Sequence, residues 1–388
     1  MLSCYLSKPV RTGVLALLCL LASATVVLAQ KPFRVDYFPQ DYNAYELNWA
    51  FVQDAQGRLF VGNNEGVLVF DGLRWQLIAT PTPVRALGLS PQGTVIVGCK
   101  NDFGYLKQSP QGALRFLSFR AELPEGALGT FEYVLGIFPN GDATLVVTRE
   151  TVFRLVQETG QANKLQKLLS GQELIAASVF RDRVVVVAAS GEHRIIQGGK
   201  FYKGTMPGFP ADEVIMAAAP LGKTGNYLVA TESNRIYRYG SSGVAPAATS
   251  FGDYLNAHTL YAIAASPNGK WVAVATQTGG VILANAQLQE VARLDGNYLP
   301  SADIYALSFD NQGGLWVAHA KGLSRLATDR DARLLADESQ LGGKVLALAA
   351  DTRGLWVGTT QGLFRVEQGN VRNISEIRGQ EVWSLHAL

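Results

Sequence analysis

Asn48 to Leu77 reads NWAFVQDAQGRLFVGNNEGVLVFDGLRWQL. It contains an apolar run, the turn Asp54-Ala-Gln-Gly57, a second apolar run, another turn at Asn63-Asn64-Glu65, and two further short runs. Apolar runs of four to six residues separated by Gly-, Asn- and Asp-containing turns predict a small antiparallel sheet of four strands. The same order returns at Ile304–Leu326 (IYALSFDNQGGLWVAHAKGLSRL) and at Val345–Val366 (VLALAADTRGLWVGTTQGLFRV). Weaker copies begin near Val84, Tyr133, Ala176, Val214 and Leu260, and a ninth opens at Val382. The starts lie roughly 36 to 49 residues apart, the period of a β-propeller blade.

A sheet of four short strands cannot bury both of its faces alone, and stacking the copies radially covers them. The expected fold is therefore all-β, a β-propeller of seven or eight four-stranded blades. A repeated sandwich would not give units of so regular a length. Residues 30–388 form one repeated architecture on this reading, with Phe33–Tyr37 or the last strand available to complete a blade. A single ring cut from a longer protein is the expected arrangement. The composition agrees: 40 of 388 residues are Gly, 48% are hydrophobic and only 17% are charged, which suits tight turns and covered sheets and excludes intrinsic disorder. A net charge of +2 gives no general electrostatic case for nucleic acid.

The turns Asp54–Gly57, Ser90–Gly93, Ser266–Gly269, Asp310–Gly313 and Asp351–Gly354 share one pattern. A hydrogen-bonding Asp or Ser opens each, and a Gly that tolerates positive φ closes it. Ser replaces Asp freely, so hairpin turns are expected rather than calcium sites. Trp271, Trp316 and Trp356 stand in the second strand and are expected to pack between blades. If the first strand of each unit is innermost, the turns joining strands A and B share one face. The B–C and D–A connections then surround the channel mouth on the other. Variable loops on a rigid scaffold are where binding is expected. Those loops carry the candidate ligand residues Tyr42, Tyr45, Asn63, Asn101, Asp102 and His258, with Asn64, Lys100, Arg149, His319 and Lys321 nearby.

The N-terminus has Lys8 and Arg11, then the apolar Val14–Leu21, then Val27-Leu28-Ala29 before Gln30. This is the pattern of a secretory signal peptide over residues 1–29, and it places the remainder in the periplasm or outside the cell. Cys4 and Cys19 would leave with it, so Cys99 would have no intramolecular partner. The four histidines lack metal-ligand spacing, and neither metal nor cofactor is expected. There is no G-x-S-x-G elbow, H-E-x-x-H pair, P-loop lysine motif or dinucleotide fingerprint. An enzyme is not expected. The remaining catalytic route would be a carboxylate pair drawn from different blades.

The segments NWAFVQDAQGRLFVGNNEGVLVFDG, GGLWVAHAKGLSRL and RGLWVGTTQGLFRV resemble the two-component regulator propeller repeat. Asn48-Trp49, Phe70-Asp71-Gly72 and Trp75 are similar to the first blade of the branch that carries a triple-tyrosine module, and Asn101–Tyr105 (NDFGY) to its second. The resemblance implies an extracytoplasmic sensor of a small molecule or oligosaccharide, coupled to a membrane signalling protein. The sequence shows no triple-tyrosine module and no kinase, cyclase or DNA-binding part. The expectation is thus a sensor propeller without its output domain in this chain. The alternative is a secreted or periplasmic scaffold for another protein.

Overall fold

The computed structural model describes residues 32–157, 163–181, 183–204, 206–328, 338–367 and 370–386; the leader expected over residues 1–29 lies outside them. Eight four-stranded antiparallel sheets account for the described strands. Seven of them form a closed ring. Their first strands are Asn48–Gln53, Val84–Leu89, Val134–Asn140, Leu174–Phe180, Ile215–Pro220, Leu260–Ala265 and Ile304–Phe309, and each packs on the first strand of the next sheet. Ile304–Phe309 packs in turn on Asn48–Gln53, so the seventh blade meets the first. The chain is a β-propeller with strand A innermost. The third, fourth and fifth blades begin at Val134, Leu174 and Ile215 rather than at Tyr133, Ala176 and Val214.

Blade stacking explains the apolar B and C strands. In the first blade Leu59–Asn63 is buried throughout, because both faces of the sheet have neighbours. The Val-Gly pairs of strand B show how tightly the blades approach. A Cβ on Gly62 would lie 2.9 Å from Val84 Cγ1, and one on Gly98 would lie 2.6 Å from Val134 Cβ. Glycine is required there because the next blade's first strand occupies the space. Trp316 packs between the seventh and first blades with Leu59, Val61 and Leu68. Trp271 is also buried between blades, two residues out of register with Trp316: Ala273 pairs with Ala264 where Trp316 pairs with Ser308.

The A–B turns consume their own carboxylates. Asp54 Oδ1 accepts the backbone N–H groups of Gln56 and Arg58 at 3.0 and 2.9 Å. Asp310 Oδ2 accepts Trp316 Nε1 at 3.1 Å and Arg325 Nε at 2.8 Å. These oxygens hold the hairpin and the two strands behind it.

The outer strand of the seventh blade is Phe33–Tyr37, paired antiparallel with Leu323–Ala327. Tyr37 stacks on Trp316 with ring centroids 5.6 Å apart and meets Trp75 edge-on at 5.3 Å, which ties the seam to the first blade. A buried polar chain lies beneath it. The Lys321 backbone N–H donates to His319 Nδ1 at 3.2 Å, which leaves the proton on Nε2. Nε2 meets Ser324 Oγ at 3.0 Å, and that hydroxyl donates to Asp36 Oδ1 at 2.6 Å.

The eighth sheet, Val345–Ala350, Leu355–Thr359, Gly362–Glu367 and Asn370–Asn373, stands outside the ring. Its strands pack chiefly on one another. Among the described residues no strand follows at the ninth opening, yet Val382 sits against Gly358 as Val84 sits against Gly62, its Cγ1 2.7 Å from where a Cβ would stand.

Candidate ligand site at the channel mouth

Every first strand has the same irregularity. Its register with strand B slips across the second residue, between Asn48 and Ala50, Val84 and Ala86, Val134 and Gly136, Leu174 and Ala176, Ile215 and Ala217, Leu260 and Ala262, and Ile304 and Ala306. A bulge of this kind turns one side chain out of the strand's regular alternation. Repeated round the ring, it sets seven residues in a circle at one end of the central channel. One arc is aromatic and cationic: Tyr261, Tyr305, Trp49 and Arg85. The other is aliphatic: Leu135, Ile175 and Met216. A cavity of about 580 Å³ is lined by all of these except Arg85, together with Thr259, Glu232 and Gln277. The last three belong to the D–A and B–C connections, so the cavity opens at the mouth that those loops surround. Its volume is in the range of small-molecule sites, roughly 300–1,000 Å³.

The aromatic arc is held from outside. Trp49 Nε1 donates to Asn64 Oδ1 at 2.8 Å, and the Trp49 and Tyr305 rings lie 5.0 Å apart. The Arg85 guanidinium sits 3.5 Å from the centre of the Trp49 ring and 5.0 Å from that of Tyr133. Tyr261 presents 42% of its surface to the channel. The walls nevertheless keep bulk water away, and this desolvation pushes its hydroxyl above the usual tyrosine range, opposed by the charge of Arg85.

The six residues singled out from the sequence are placed on this face, but none lines the cavity. Tyr42 is in the core of the seam, 2% exposed and against Trp75, and burial pushes its hydroxyl up to about 12. Asn63 is fully buried. Its Nδ2 donates to the carbonyls of Tyr45 and Leu47 and to Asn48 Oδ1, and its Oδ1 accepts the Glu65 N–H at 3.0 Å. This bond is a recurrent device. The last residue of strand B takes the N–H two residues on through Thr148 Oγ1, His319 Nδ1 and Thr359 Oγ1 as well. Asn63 and His319 therefore hold B–C turns, and have no surface to offer a ligand. The Ser324 hydroxyl donates to Asp36 and not to His319, so this trio is not arranged to activate a nucleophile.

Tyr45 is exposed on the connection that leads into Asn48. Asn101, at φ 55°, turns the second blade's B–C loop, and its Oδ1 accepts the Phe131 N–H at 3.2 Å. Asp102 is half-buried. Desolvation raises its carboxyl above the usual range, against the bonds from Ser118 Oγ and the Phe103 N–H. His258 ends the short helix Gly252–His258, meets the tilted Tyr254 ring with centroids 4.3 Å apart and has Nδ1 3.2 Å from Thr278 Oγ1. Cys99 is buried without a disulfide, and its thiol is pushed up to about 12 by burial, with a smaller push from Asp102.

The channel circle itself was missed. Its signal is a column, the second residue of strand A in each repeat, which emerges only when the units are aligned in the register that the bulges impose.

No protein-family model matches the chain, and no curated protein is similar to it in sequence. Solved structures are similar in fold. The extracellular domain of a protein assigned to the hybrid two-component systems of B. thetaiotaomicron matches at a TM-score of 0.53 and 17% identity, over 88% of this chain and 49% of that one. The chain thus spans about half the length of that domain. Streptogramin B lyase matches at 0.57 and 14% identity, over 76% of this chain and 98% of the lyase. The WD40 propeller domain of Doa1 matches at 0.55 and 12% identity, over 78% and 98%. At these identities the likenesses establish the fold, a β-propeller shared with extracellular sensor domains and with at least one enzyme.

Proposed function

We propose that the chain is the ligand-binding sensor propeller of an exported signalling protein, taking a small molecule or a short oligosaccharide at the channel mouth. The observation that supports this reading most directly is the bulged circle. Seven blades each turn one side chain to the same end of the channel, and the cavity there combines aromatic faces, an aliphatic wall and polar groups from Glu232, Thr259 and Gln277, a mixture that suits a small molecule. The propeller repeats and the fold shared with extracellular sensor domains favour the same class. Among the described residues no helix is long and apolar enough to cross a membrane.

Isothermal titration of the full chain against a panel of neutral oligosaccharides and small metabolites tests the proposal. Binding that is lost in Trp49→Ala and Tyr305→Ala, and kept in Tyr45→Ala and Asn101→Ala, supports it. Binding that follows the second pair moves the site to the outer loops. A second reading is an interaction scaffold, favoured by the exposed Val345, Leu348 and Trp383 around the eighth sheet. A membrane protein that co-purifies with the chain and is released by Leu348→Ser would support it.

A further inference from the structure

The seven innermost strands read NWAFVQ, VRALGL, VLGIFPN, LIAASVF, IMAAAP, LYAIAA and IYALSF, and Arg85 is the one charged residue among them. A guanidinium placed alone in an apolar channel wall costs desolvation that stacking only partly offsets. Its two ring neighbours, Trp49 and Tyr133, interact with the guanidinium as aromatic rings and leave its five in-plane N–H donors to be matched elsewhere. Arg85 Nε is buried with no hydrogen-bond partner among the described residues. An unmatched buried donor is the costly half of a hydrogen bond; the two terminal nitrogens of Arg85 are not among the buried atoms, and they are the donors that a group entering the channel would meet first.

We propose that the channel mouth takes a monocarboxylate, with its carboxylate on the Arg85 guanidinium and its apolar body lying along the aliphatic arc of Leu135, Ile175 and Met216, which begins in the next blade. This rests on the ligand-sensor reading of the same site. A planar fork of N–H donors matches a carboxylate in a bidentate pair, stronger and more directional than a neutral hydrogen bond. The aliphatic arc that starts beside Arg85 and runs round to Met216 supplies the apolar surface for the remainder.

The surrounding charges narrow the class. Glu232 lines the cavity, and Glu46 and Asp303 lie close enough to Tyr305 for their charge to act on its hydroxyl. Lys100 is the nearby cation, with Nζ 5.7 Å from the Tyr133 ring. An acidic rim around one inner cation disfavours a polyanion more strongly than a ligand with a single negative charge, whose attraction to Arg85 is opposed by less repulsion. A sugar acid and an aromatic acid share this chemistry.

Trp49 reports on its own neighbour, so its fluorescence reads occupancy of Arg85. The full chain is titrated with phenylacetate and galacturonate, and with their neutral counterparts phenylacetamide and galactose; Trp49→Phe serves as the signal control. At least one acid should bind, about tenfold or more tighter than its neutral counterpart, as expected when a buried charge-assisted pair is lost. Arg85→Met should abolish that binding, and Arg85→Lys should recover part of it, while both variants retain a cooperative thermal transition. Phenylacetate alone binding would assign aromatic acids, galacturonate alone sugar acids. Equal affinity for acid and amide, acid binding that survives Arg85→Met, or no acid binding at all overturns the proposal. If neutral sugars bind and Trp49→Ala abolishes that binding, the sensor reading stands and only the carboxylate assignment falls. If acids bind the Trp49→Ala and Arg85→Met variants as they bind the parent, by calorimetry, both readings fall.

Discussion

The seventh blade and the eighth sheet are nearly the same sentence written twice, IYALSFDNQGGLWVAHAKGLSRL and VLALAADTRGLWVGTTQGLFRV. Each turn Asp accepts a Trp indole and an Arg guanidinium: Asp310 from Trp316 and Arg325, Asp351 from Trp356 and Arg365. Their surroundings differ. The Asp310 carboxylate is 4% exposed and that of Asp351 is 33% exposed. Trp316 is buried against the first blade, while Trp356 is only half-buried. Local sequence therefore specifies the blade, and neighbours on both faces supply its burial.

The largest expected effect comes from the paired tryptophans. Trp316→Ala removes an indole from the seam and should cost the ring about 3–5 kcal/mol, measured by urea unfolding. Trp356→Ala should leave the ring's transition in place. Equal shifts in the two variants would show that the eighth sheet unfolds as part of the ring.

Next is acid. At the end of strand B the seventh blade has His319 where the eighth sheet has Thr359. Burial, opposed by Asp36, pushes the imidazole down to about 4. The unfolded chain then binds a proton that the folded ring refuses. The contribution of the neutral histidine is complete above the ordinary histidine value of about 6.5 and is lost as pH falls from there toward 4, by about 3 kcal/mol in all. His319→Thr keeps a side-chain oxygen for the turn and should flatten that pH dependence; urea midpoints at pH 7, 5 and 4 give the slope. An unchanged slope would remove His319 as its source.

A milder acid effect belongs to the eighth sheet. The Arg365 guanidinium, helped by the Arg353 N–H, holds the Asp351 carboxyl below the usual aspartate range. A depressed carboxylate stabilises the fold above its unfolded value, about 4, and that contribution fades as pH drops below it. Trp356 emission should shift to the red below that pH, and Asp351→Asn should show the shifted emission already at pH 7. The smallest effect is at Leu348, which is 59% exposed. Leu348→Ser should change stability by less than about 0.5 kcal/mol, read from thermal melts, whereas Leu307, at the same place in the seventh blade, packs into the core and its replacement by Ser should cost more.

Blade number and site were legible in the sequence to different degrees. Turn residues and strand pairs repeat locally, so the propeller and most unit boundaries can be read directly. Closure was legible only in part: Phe33–Tyr37 was one of two segments available to complete a blade, but FRVDY resembles none of the D strands, so the choice of seven blades rests on its pairing with Leu323–Ala327. The candidate residues were chosen as polar groups in loops, yet buried loop ends need polar side chains for their own backbone. That need accounts for Asn63 and His319. The channel circle was hidden for the opposite reason: Trp49, Tyr305 and Met216 look like ordinary strand residues until the bulge is counted. Arg85, a lone charge in an apolar strand, was the visible clue.

The seam also dictates when the protein can finish folding. The strand that completes the last blade is the first described strand of the chain, so its partners at Leu323–Ala327 must be available before the circle can shut. Contacts of such sequence separation form slowly, because the entropy of closing the intervening loop is lost before any pairing is gained. Until then the flanks of the first and seventh blades face solvent. Refolding should accordingly end in a slow phase to which residues 33–37 contribute, and a protease should find the open seam during that interval and not after it.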